Sequence, residues 1–512
     1  MASEVVLPFD PSGIQLDRAY GLSRQLYQAL RARVLEGKLA RGTRLPASRD
    51  LAKALGISRN SVVRAYDQLY AEGFIEGRVG DGTYIADVLT PGGTAKNKLS
   101  TNVSTGLGTG LSPGLSTFGA VEAVDLYSSK AVSAAARRLE NHHLNPPLEG
   151  APRAFRVGIP AFDLFPFAVW AKLHGAFWRK ADPARLGYGD PAGDARLREL
   201  IAAYLRSSRG LQCTPEQIVI TCGAQQAIGL CAQLLVSPGD SVAVENPGYR
   251  AAMHSFANAG AHLRGVAVDA EGFDTAQLEQ MPDCRLAYVT PAHQYPTGVT
   301  LSLARRLALL EWARRTDGWI VEDDYDGEYR FSGAPLAPLA ALDRHGRVLY
   351  VGTFGKVAFP ALRLGYLVLP QALVQTFTRR LAVEGRSLEI GSQAVMAEFM
   401  AAGHFQRHIR RMRRAALSRR DTLLAHWPAN VAGCGPLPDV QAGLHLKVPV
   451  DNSAREHELL ELALAAGVEM TPLANYWLPD SDVDKSGLVL GFAAVPEATI
   501  RAALDRLKRA WR

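Results

Sequence analysis

Short apolar runs alternate with helical patterns through most of the chain. The runs are IVITCG, DSVAVEN, RLAYVTP, GWIVEDD, RVLYVGT and RLGYLVLP. Strands that alternate with helices pair in parallel, because a parallel connection needs a long crossover. The pattern therefore predicts a large α/β domain around a mostly parallel sheet over residues 151–512.

The remaining sequence divides into two further zones, and 512 residues are enough for two or three domains. Residues 14–87 are dense in helical periodicity and predict a small separate module. Residues 88–120 are rich in Gly, Ser and Thr, so they predict a flexible linker. Residues 121–150 are ambiguous and are grouped with the linker, as a tether that packs on the following domain.

The first zone contains a helix-turn-helix pattern. Residues 22–34 have leucine or valine at every fourth position, which is one apolar helical face. Ser48 is placed to cap a short helix that runs to Leu55, and Gly56 ends it. A second helix starts at Ser58. Such a pair places the N-terminus of its second helix in the major groove of DNA.

The run GFIEGRVGDGTYIA predicts a β-hairpin with Asp81-Gly82 at its turn. This hairpin would be the wing of a winged helix. Charge alone makes a weak case for DNA, since residues 1–90 hold 12 Lys and Arg against 10 Asp and Glu. Polar side chains nevertheless lie where base edges and phosphates would be. The candidate DNA contacts are Ser48, Arg49, Ser58, Arg59, Asn60, Ser61, Arg64 and Gly82.

The ordered pattern LPxSRxLAxxLGxSRxxVxxAYxxLxxEGxIxxxxGxGTYI is more specific than charge. It resembles the GntR-type winged helix over nearly its whole length. The resemblance implies that residues 14–87 form a small α+β domain that binds double-stranded DNA. One departure is Ala47, where this family often has serine.

Lys356 is the main candidate for chemistry in the large domain. It lies in GTFGKVAFPALRLGY, with Thr353 before it and Arg363 seven residues later. An amine can form a Schiff base with an aldehyde, while an arginine and a hydroxyl hold a phosphate. The spacing therefore suits a phosphorylated aldehyde.

Other candidates lie at the carboxyl ends of predicted strands, where α/β sheets bind ligands. The glycine turn at Gly223 opens a helix whose free N–H groups form an anion site. Tyr249 offers an aromatic ring for stacking. Asp323 is placed to keep a pyridinium nitrogen protonated, and Tyr325 to contact a ring hydroxyl.

These segments together resemble a fold-type I, class I aminotransferase domain that binds pyridoxal 5′-phosphate (PLP). The resemblance implies that Lys356 forms the Schiff base, Asp323 pairs with the ring nitrogen, Tyr325 contacts the ring oxygen and Tyr249 stacks on the ring. It implies that Tyr188 reaches the phosphate of a partner subunit across a homodimer interface. The residues expected to hold the phosphate within one chain are Gly223, Ala224, Gln225, Thr353 and Arg363.

A winged helix joined by a linker to this domain resembles a MocR-type transcriptional regulator. The implied function is a PLP-dependent DNA-binding regulator that senses PLP or an amine adduct of it. The alternative is a working aminotransferase with an accessory DNA-binding domain, and whether the chain is an enzyme stays open. A third hypothesis is a dead pocket that serves only dimerisation, against which the intact Lys356, Asp323 and Arg363 argue.

One departure bears on the effector. Aminotransferases bind the substrate carboxylate with an arginine in a Ser-Gly-Arg run, and here the corresponding run is placed at Ser486-Gly487-Leu488. Loss of an arginine–carboxylate fork weakens binding of α-amino acids. The effector is therefore expected to be PLP itself or an amine whose acid group is held elsewhere, for which Arg250 is a candidate.

The cellular location is expected to be the cytoplasm. The first residues lack the charged and apolar regions of a signal peptide, and no long uncharged apolar stretch predicts a membrane span. Five cysteines without a C-x-x-C pair indicate a reducing compartment and argue against a structural zinc or a disulfide framework.

Overall fold

The computed structural model describes residues 11, 13–18, 21–78, 81–86, 133, 136, 138, 150–331, 336–385, 388–479 and 486–511. The chain divides into two compact units, residues 1–119 and residues 120–512. Most of the predicted linker and tether, residues 88–150, lies outside the described residues.

The described residues of the N-terminal unit form three helices and a two-stranded hairpin. The helices are α1 (Leu22–Leu35), α2 (Ser48–Leu55) and α3 (Arg59–Ala71), and the strands are β1 (Ile75–Arg78) and β2 (Gly82–Ile85). The apolar face of α1 is buried through Leu26, Leu30 and Val34, which pack with Val62 and Leu69 of α3. The predicted helical periodicity therefore forms the core of this unit.

Local interactions determine where α2 ends and where α3 begins. Gly56 adopts the left-handed conformation at φ 61° and closes α2. The Ser58 side chain accepts a hydrogen bond from the Ser61 N–H at 3.1 Å and caps α3. The expectation that Ser48 caps α2 is wrong, because Ala47 is the cap residue and Ser48 already has helical conformation. Ser48 instead accepts a hydrogen bond from Arg59 Nε at 3.3 Å, which joins the two helices.

The hairpin predicted as a wing is present. Its strands are antiparallel, and Arg78 pairs with Gly82 next to the turn. Gly82 has φ 124°, a conformation that side chains disfavour, and a Cβ atom there would lie 3.1 Å from the Arg44 guanidinium. Glycine therefore allows the wing to turn beside that arginine.

The C-terminal unit is built on an eight-stranded sheet with the order β3-β10-β9-β8-β7-β4-β5-β6. Its central strands pair in parallel, while β10 runs antiparallel to both of its neighbours. The strands are β3 (Ile218–Thr221), β4 (Ser241–Asn246), β5 (His262–Asp269), β6 (Gly272–Phe273), β7 (Cys284–Val289), β8 (Trp319–Asp324), β9 (Val348–Thr353) and β10 (Gly365–Val368). All six predicted apolar runs are strands.

Helices surround this sheet and continue into a smaller C-terminal layer. They are α4 (Phe167–Arg179), α5 (Ala195–Arg209), α6 (Gly223–Leu235), α7 (Arg250–Asn258), α8 (Thr275–Glu279), α9 (Leu303–Thr316), α10 (Leu339–Leu342), α11 (Gln371–Glu384), α12 (Ile390–Ala401), α13 (His404–His426), α14 (Ser453–Ala465) and α15 (Glu497–Ala510). A three-stranded sheet of β11 (His445–Pro449), β13 (Gly487–Gly491) and β12 (Thr471–Pro472) completes the layer. Among the described helices, none has the length and apolar character needed to cross a membrane.

Candidate functional site

A cavity of about 180 Å³ opens at the carboxyl ends of the parallel strands. Strand β8 brings Asp323 there, the turn after β9 brings Lys356, and the start of α6 brings Gly223. This is the edge at which α/β sheets bind ligands, because loops and helix N-termini converge there. The predicted residues that line the cavity are Gly223, Ala224, Gln225, Tyr249, Asp323, Tyr325, Thr353, Lys356 and Arg363.

Lys356 is half-buried and donates a hydrogen bond from Nζ to the Gly158 carbonyl at 2.7 Å. A Cβ atom at Gly158, whose φ is 77°, would lie 3.0 Å from that nitrogen. Burial lowers the pKa of Lys356, although the carboxylates of Asp326 and Asp323 oppose the effect. A lower pKa increases the neutral fraction of the amine, which is the form that attacks an aldehyde.

Asp323 is buried, and its two oxygens differ. Oδ2 accepts a hydrogen bond from the Tyr288 hydroxyl at 2.7 Å. Oδ1 is also buried but has no hydrogen-bond partner among the described residues. An unsatisfied buried oxygen is costly, so it fits a ligand that brings a donor. The ring N–H of a pyridinium is such a donor, so the unpartnered oxygen of Asp323 fits bound PLP.

Burial raises the pKa of Asp323 to about 7, with a smaller contribution from the Asp324 charge. A bound cation would stabilise the ionised form. Without ligand, the carboxyl group instead takes up a proton at a pH where an exposed aspartate is ionised.

The stability of the ligand-free protein should reflect this shift. A folded-state pKa of about 7 against about 3.9 unfolded means that the folded state binds more protons between these values. The Asp323 contribution to stability is therefore lost as the pH rises from about 4 to about 7. We expect Asp323→Asn to remove this loss, so its melting temperature relative to wild type increases with pH. If the melting temperatures of the two proteins change equally with pH, the raised pKa is not that of Asp323.

The residues predicted to hold the phosphate form a cup at the start of α6. The first N–H groups of a helix lack intrahelical partners and attract anions. Arg363 donates to the Cys222 carbonyl at 3.1 Å, which places its guanidinium beside this helix start. Gln225 is the third residue at this helix start that is predicted to hold the phosphate. Its side-chain NH2 group is already bound to Ala251 and Ser255 of α7, so its backbone N–H is the group available.

Tyrosines and histidines line the opposite side. The Tyr325 hydroxyl donates to the His293 carbonyl at 2.8 Å, and Tyr249 packs edge-on against Tyr295 with ring centres 5.6 Å apart. His293 Nδ1 lies 3.0 Å from Asp326. Burial raises the pKa of Tyr325 well above its usual value, so its hydroxyl stays protonated.

Tyr188 does not line this cavity. Its side chain is 82% exposed and lies in a surface groove with Trp178, Leu186 and Gln393. Within one chain, the structure therefore separates Tyr188 from the other residues predicted to hold the phosphate.

Two family matches cover both units. Residues 154–507 match the aminotransferase class I and II family, and residues 22–85 match the gntR family of bacterial regulatory proteins. The chain is 36% identical to a probable rhizopine catabolism regulatory protein, MocR, of Rhizobium meliloti, covering 96% of this chain and 94% of that protein. The chain belongs to the MocR-type family of transcriptional regulators.

A further regulator and a solved aminotransferase structure are also similar to this MocR-type chain. The pyridoxine biosynthesis regulator PdxR of Corynebacterium glutamicum is 31% identical, with 95% of each chain covered. A kynurenine aminotransferase of Pyrococcus horikoshii is 28% identical, covers 76% of this chain and 98% of its own, and superposes with a TM-score of 0.65. The predicted fold class, a winged helix plus a fold-type I aminotransferase domain, is confirmed.

In the MocR-type chain, Leu488 was expected to replace the arginine that binds the substrate carboxylate in aminotransferases. Leu488 is fully buried in the core cluster that contains Val448 and Leu459, so it does not face the cavity side of β13. The next residue, Val489, packs with Tyr295 and Tyr476 instead. The prediction that Leu488 takes the position of the carboxylate-binding arginine is wrong. Side chains alternate between the two faces of a strand, and Leu488 lies on the core face. Both positions are apolar, so neither supplies a cation.

Arg250 also lies outside the cavity lining. Its guanidinium donates to the Trp477 carbonyl at 2.8 Å. The structure thus gives it a structural partner and no contact with the cavity.

The candidate DNA contacts of the MocR-type chain lie together on the N-terminal unit. Arg49, Arg59, Asn60 and Arg64 are exposed, and Ser58 and Ser61 form the cap of α3 described above. Arg44, exposed beside Gly82 of the wing, was missed by the sequence interpretation. Its position depends on the pairing of the hairpin with residues before α2, which no local pattern indicates.

Tyr288 and His445 are among the cavity-lining residues that the sequence interpretation missed. Tyr288 precedes the loop after β7, and its hydroxyl reaches Asp323 only because β7 and β8 are neighbours. His445 starts β11, which follows Asp323 by more than a hundred residues. No spacing in the sequence links either residue to Lys356.

Proposed function

We propose that this chain is a PLP-dependent DNA-binding regulator whose large domain senses an amine. The observation that carries the proposal is the cavity itself. It holds a lysine, a buried carboxylate with one free oxygen, and a helix N-terminus with an arginine, in a chain that also contains a winged helix. Relatives named as regulators of this type support the DNA-binding part.

The roles of the residues follow from their positions. Asp323 would pair with the ring nitrogen, Tyr325 with the ring oxygen, and Tyr249 would stack on the ring. The start of α6 with Thr353 and Arg363 would hold the phosphate. PLP, when bound, supplies an aldehyde for which the amine of Lys356 and the amine of an effector compete. Exchange of one amine for the other involves no oxidation and no net loss of a group.

For such exchange to regulate transcription, the effector-bound protein must bind DNA differently from the lysine-bound protein. Typical coupling energies of about 1–3 kcal/mol correspond to changes of about 5- to 150-fold in affinity. The small cavity and the winged helix are then two sites linked by one coupling free energy.

A selection from genomic fragments tests this function. The PLP-loaded protein is mixed with sheared DNA of its source at moderate salt, and bound fragments are sequenced. We expect a few discrete fragments to be enriched, and their occupancy to change when an amine is added. Uniform binding of all fragments, unaffected by amine, would contradict the proposal.

The alternative, a working aminotransferase, is favoured by the same lysine and aspartate. Steady-state turnover separates the two. A regulator should release at most about one product per subunit from an amino acid and a keto acid, whereas an enzyme completes many cycles.

We further propose a homodimer in which Tyr188 completes the partner's phosphate site. The exposed apolar side chains Trp178, Leu186 and Tyr188 line one groove and support it, since a cluster of this kind marks an interaction surface.

Tyr188→Ala is expected to weaken PLP binding about tenfold through loss of one hydrogen bond to a charged phosphate. Titration of PLP into the ligand-free protein measures this effect. Tyr70→Ala, which removes a 64% exposed tyrosine from the N-terminal unit, is the matched control. Equal PLP affinity of wild type and Tyr188→Ala would argue against this role.

A further inference from the structure

His445 faces the cavity that holds Lys356, although no role has yet been assigned to it. Its side chain is 1% exposed and lines that cavity. The ring lies 4.8 Å from His293 and 5.2 Å from Tyr295, measured between ring centres. On β13, the residue opposite His445 is Gly491, which has no side chain to occupy the same face.

Both ring nitrogens of His445 are buried without a hydrogen-bond partner among the described residues. The Pro296 backbone favours the protonated ring and so raises its pKa, but its distance and angle to the ring do not meet those of a hydrogen bond. Burial lowers the pKa of His445 well below its usual value, and the nearby His293 and Lys356 lower it further. The imidazole is therefore neutral, with one N–H to donate and one lone pair to accept.

An imidazole with both groups unsatisfied is costly to bury, so a ligand that satisfies them gains affinity. A hydroxyl group suits this surface, because it donates and accepts through one oxygen and fits either tautomer. A carboxylate only accepts, and it favours a cation as partner.

The charges of the cavity wall also disfavour a second anionic group. Among its described residues, the cations are Lys356 and Arg363, and both have other roles. Val489, which packs near Tyr295, is apolar, and Arg250 is bound to the Trp477 carbonyl. Within one chain, a free carboxylate on the effector therefore finds no unused cation.

We propose that His445 binds a neutral hydroxyl group of the effector, which is a primary amine that carries hydroxyl groups and no carboxylate. This inference rests on the proposed exchange of amines at Lys356 and specifies the chemical class that the site accepts. His445 acts here as a specificity-determining residue, and Lys356 keeps the covalent role.

Three cyclohexane amines test this selectivity on the PLP-loaded full-length protein. They are trans-2-aminocyclohexanol, cyclohexylamine and trans-2-aminocyclohexanecarboxylic acid, which differ only in the group beside the amine. Dissociation constants come from the absorbance change of the cofactor and from calorimetric heat. We expect the amino alcohol to bind about tenfold more tightly than either of the others, since cyclohexylamine leaves the imidazole without a partner and the carboxylate finds no unused cation.

Two variants assign the effect to His445. His445→Leu removes both hydrogen-bonding groups and should reduce the preference for the amino alcohol to about onefold. His445→Gln keeps a donor and an acceptor and should retain a several-fold preference. A melting curve for each variant reports its folding, and the glutamine variant keeps the test decisive if the leucine variant fails to fold.

Failure of this inference is distinguishable from failure of the proposed function. If PLP binds normally but wild type prefers the carboxylate, or if His445→Leu keeps the full preference, the role of His445 is wrong. If wild type does not bind PLP at all, the proposed function and this inference both fall.

Discussion

Changing Lys356 to alanine is expected to abolish covalent attachment of PLP. The visible absorbance of the lysine-bound cofactor should disappear, and reduction with borohydride should no longer fix the cofactor to the chain. The physical reason is that Lys356 Nζ is the only amine among the described residues lining the cavity. Asp323 and the phosphate cup are unchanged, so residual noncovalent binding should persist.

Lys172→Ala is the control for this variant. Lys172 is an exposed lysine on α4, so its loss should leave the spectrum unchanged. A visible band of normal intensity in Lys356→Ala, or its loss in Lys172→Ala, would mean that another amine holds the cofactor.

The double change Arg59→Ala with Arg64→Ala is expected to remove specific DNA binding. Both arginines are exposed on α3, the helix that enters the major groove in this arrangement. Losing one arginine contact to a base costs about 1–3 kcal/mol, so losing two should weaken binding at least about 30-fold if the losses are additive. Fluorescence anisotropy with a selected fragment measures the loss.

Arg24→Ala is the matched control, because it removes an exposed charge from α1 in the same unit. Its effect should be small, since it changes only the general attraction to phosphates. The variant with both α3 arginines replaced should keep its PLP spectrum. Equal losses in the control and the double variant would show that binding depends on charge alone.

The sequence predicted elements that depend on local chemistry. Gly56 ends α2 and Ser58 begins α3 because a left-handed glycine and a serine cap act within a few residues. The strand β8 is apolar and ends in carboxylates, so its place beside a ligand was also predictable.

Other features required the folded chain. The register of β13 determines that Val489 lies with Tyr295 and that Leu488 faces the core, and a one-residue error reverses this assignment. His445 reaches the cavity from a small sheet far along the chain, and its unsatisfied nitrogens are a property of packing. Such positions depend on long-range contacts, for which one sequence offers no spacing rule.

Regulation by an effector has a direct thermodynamic consequence. An effector changes DNA occupancy only as far as its affinity differs between the DNA-bound and free protein. By reciprocity, the operator fragment must change the amine affinity of the cavity by the same factor. This makes the coupling measurable from either site.

The most direct test is the occupancy of a selected DNA fragment during titration with an amine, for PLP-loaded wild type and Lys356→Ala in parallel. We predict a saturable change of at least about fivefold in DNA affinity for wild type, and no change for Lys356→Ala. An equal response of both proteins, or no response of wild type to any amine that alters its cofactor spectrum, would contradict the claim that amine exchange at Lys356 controls DNA binding.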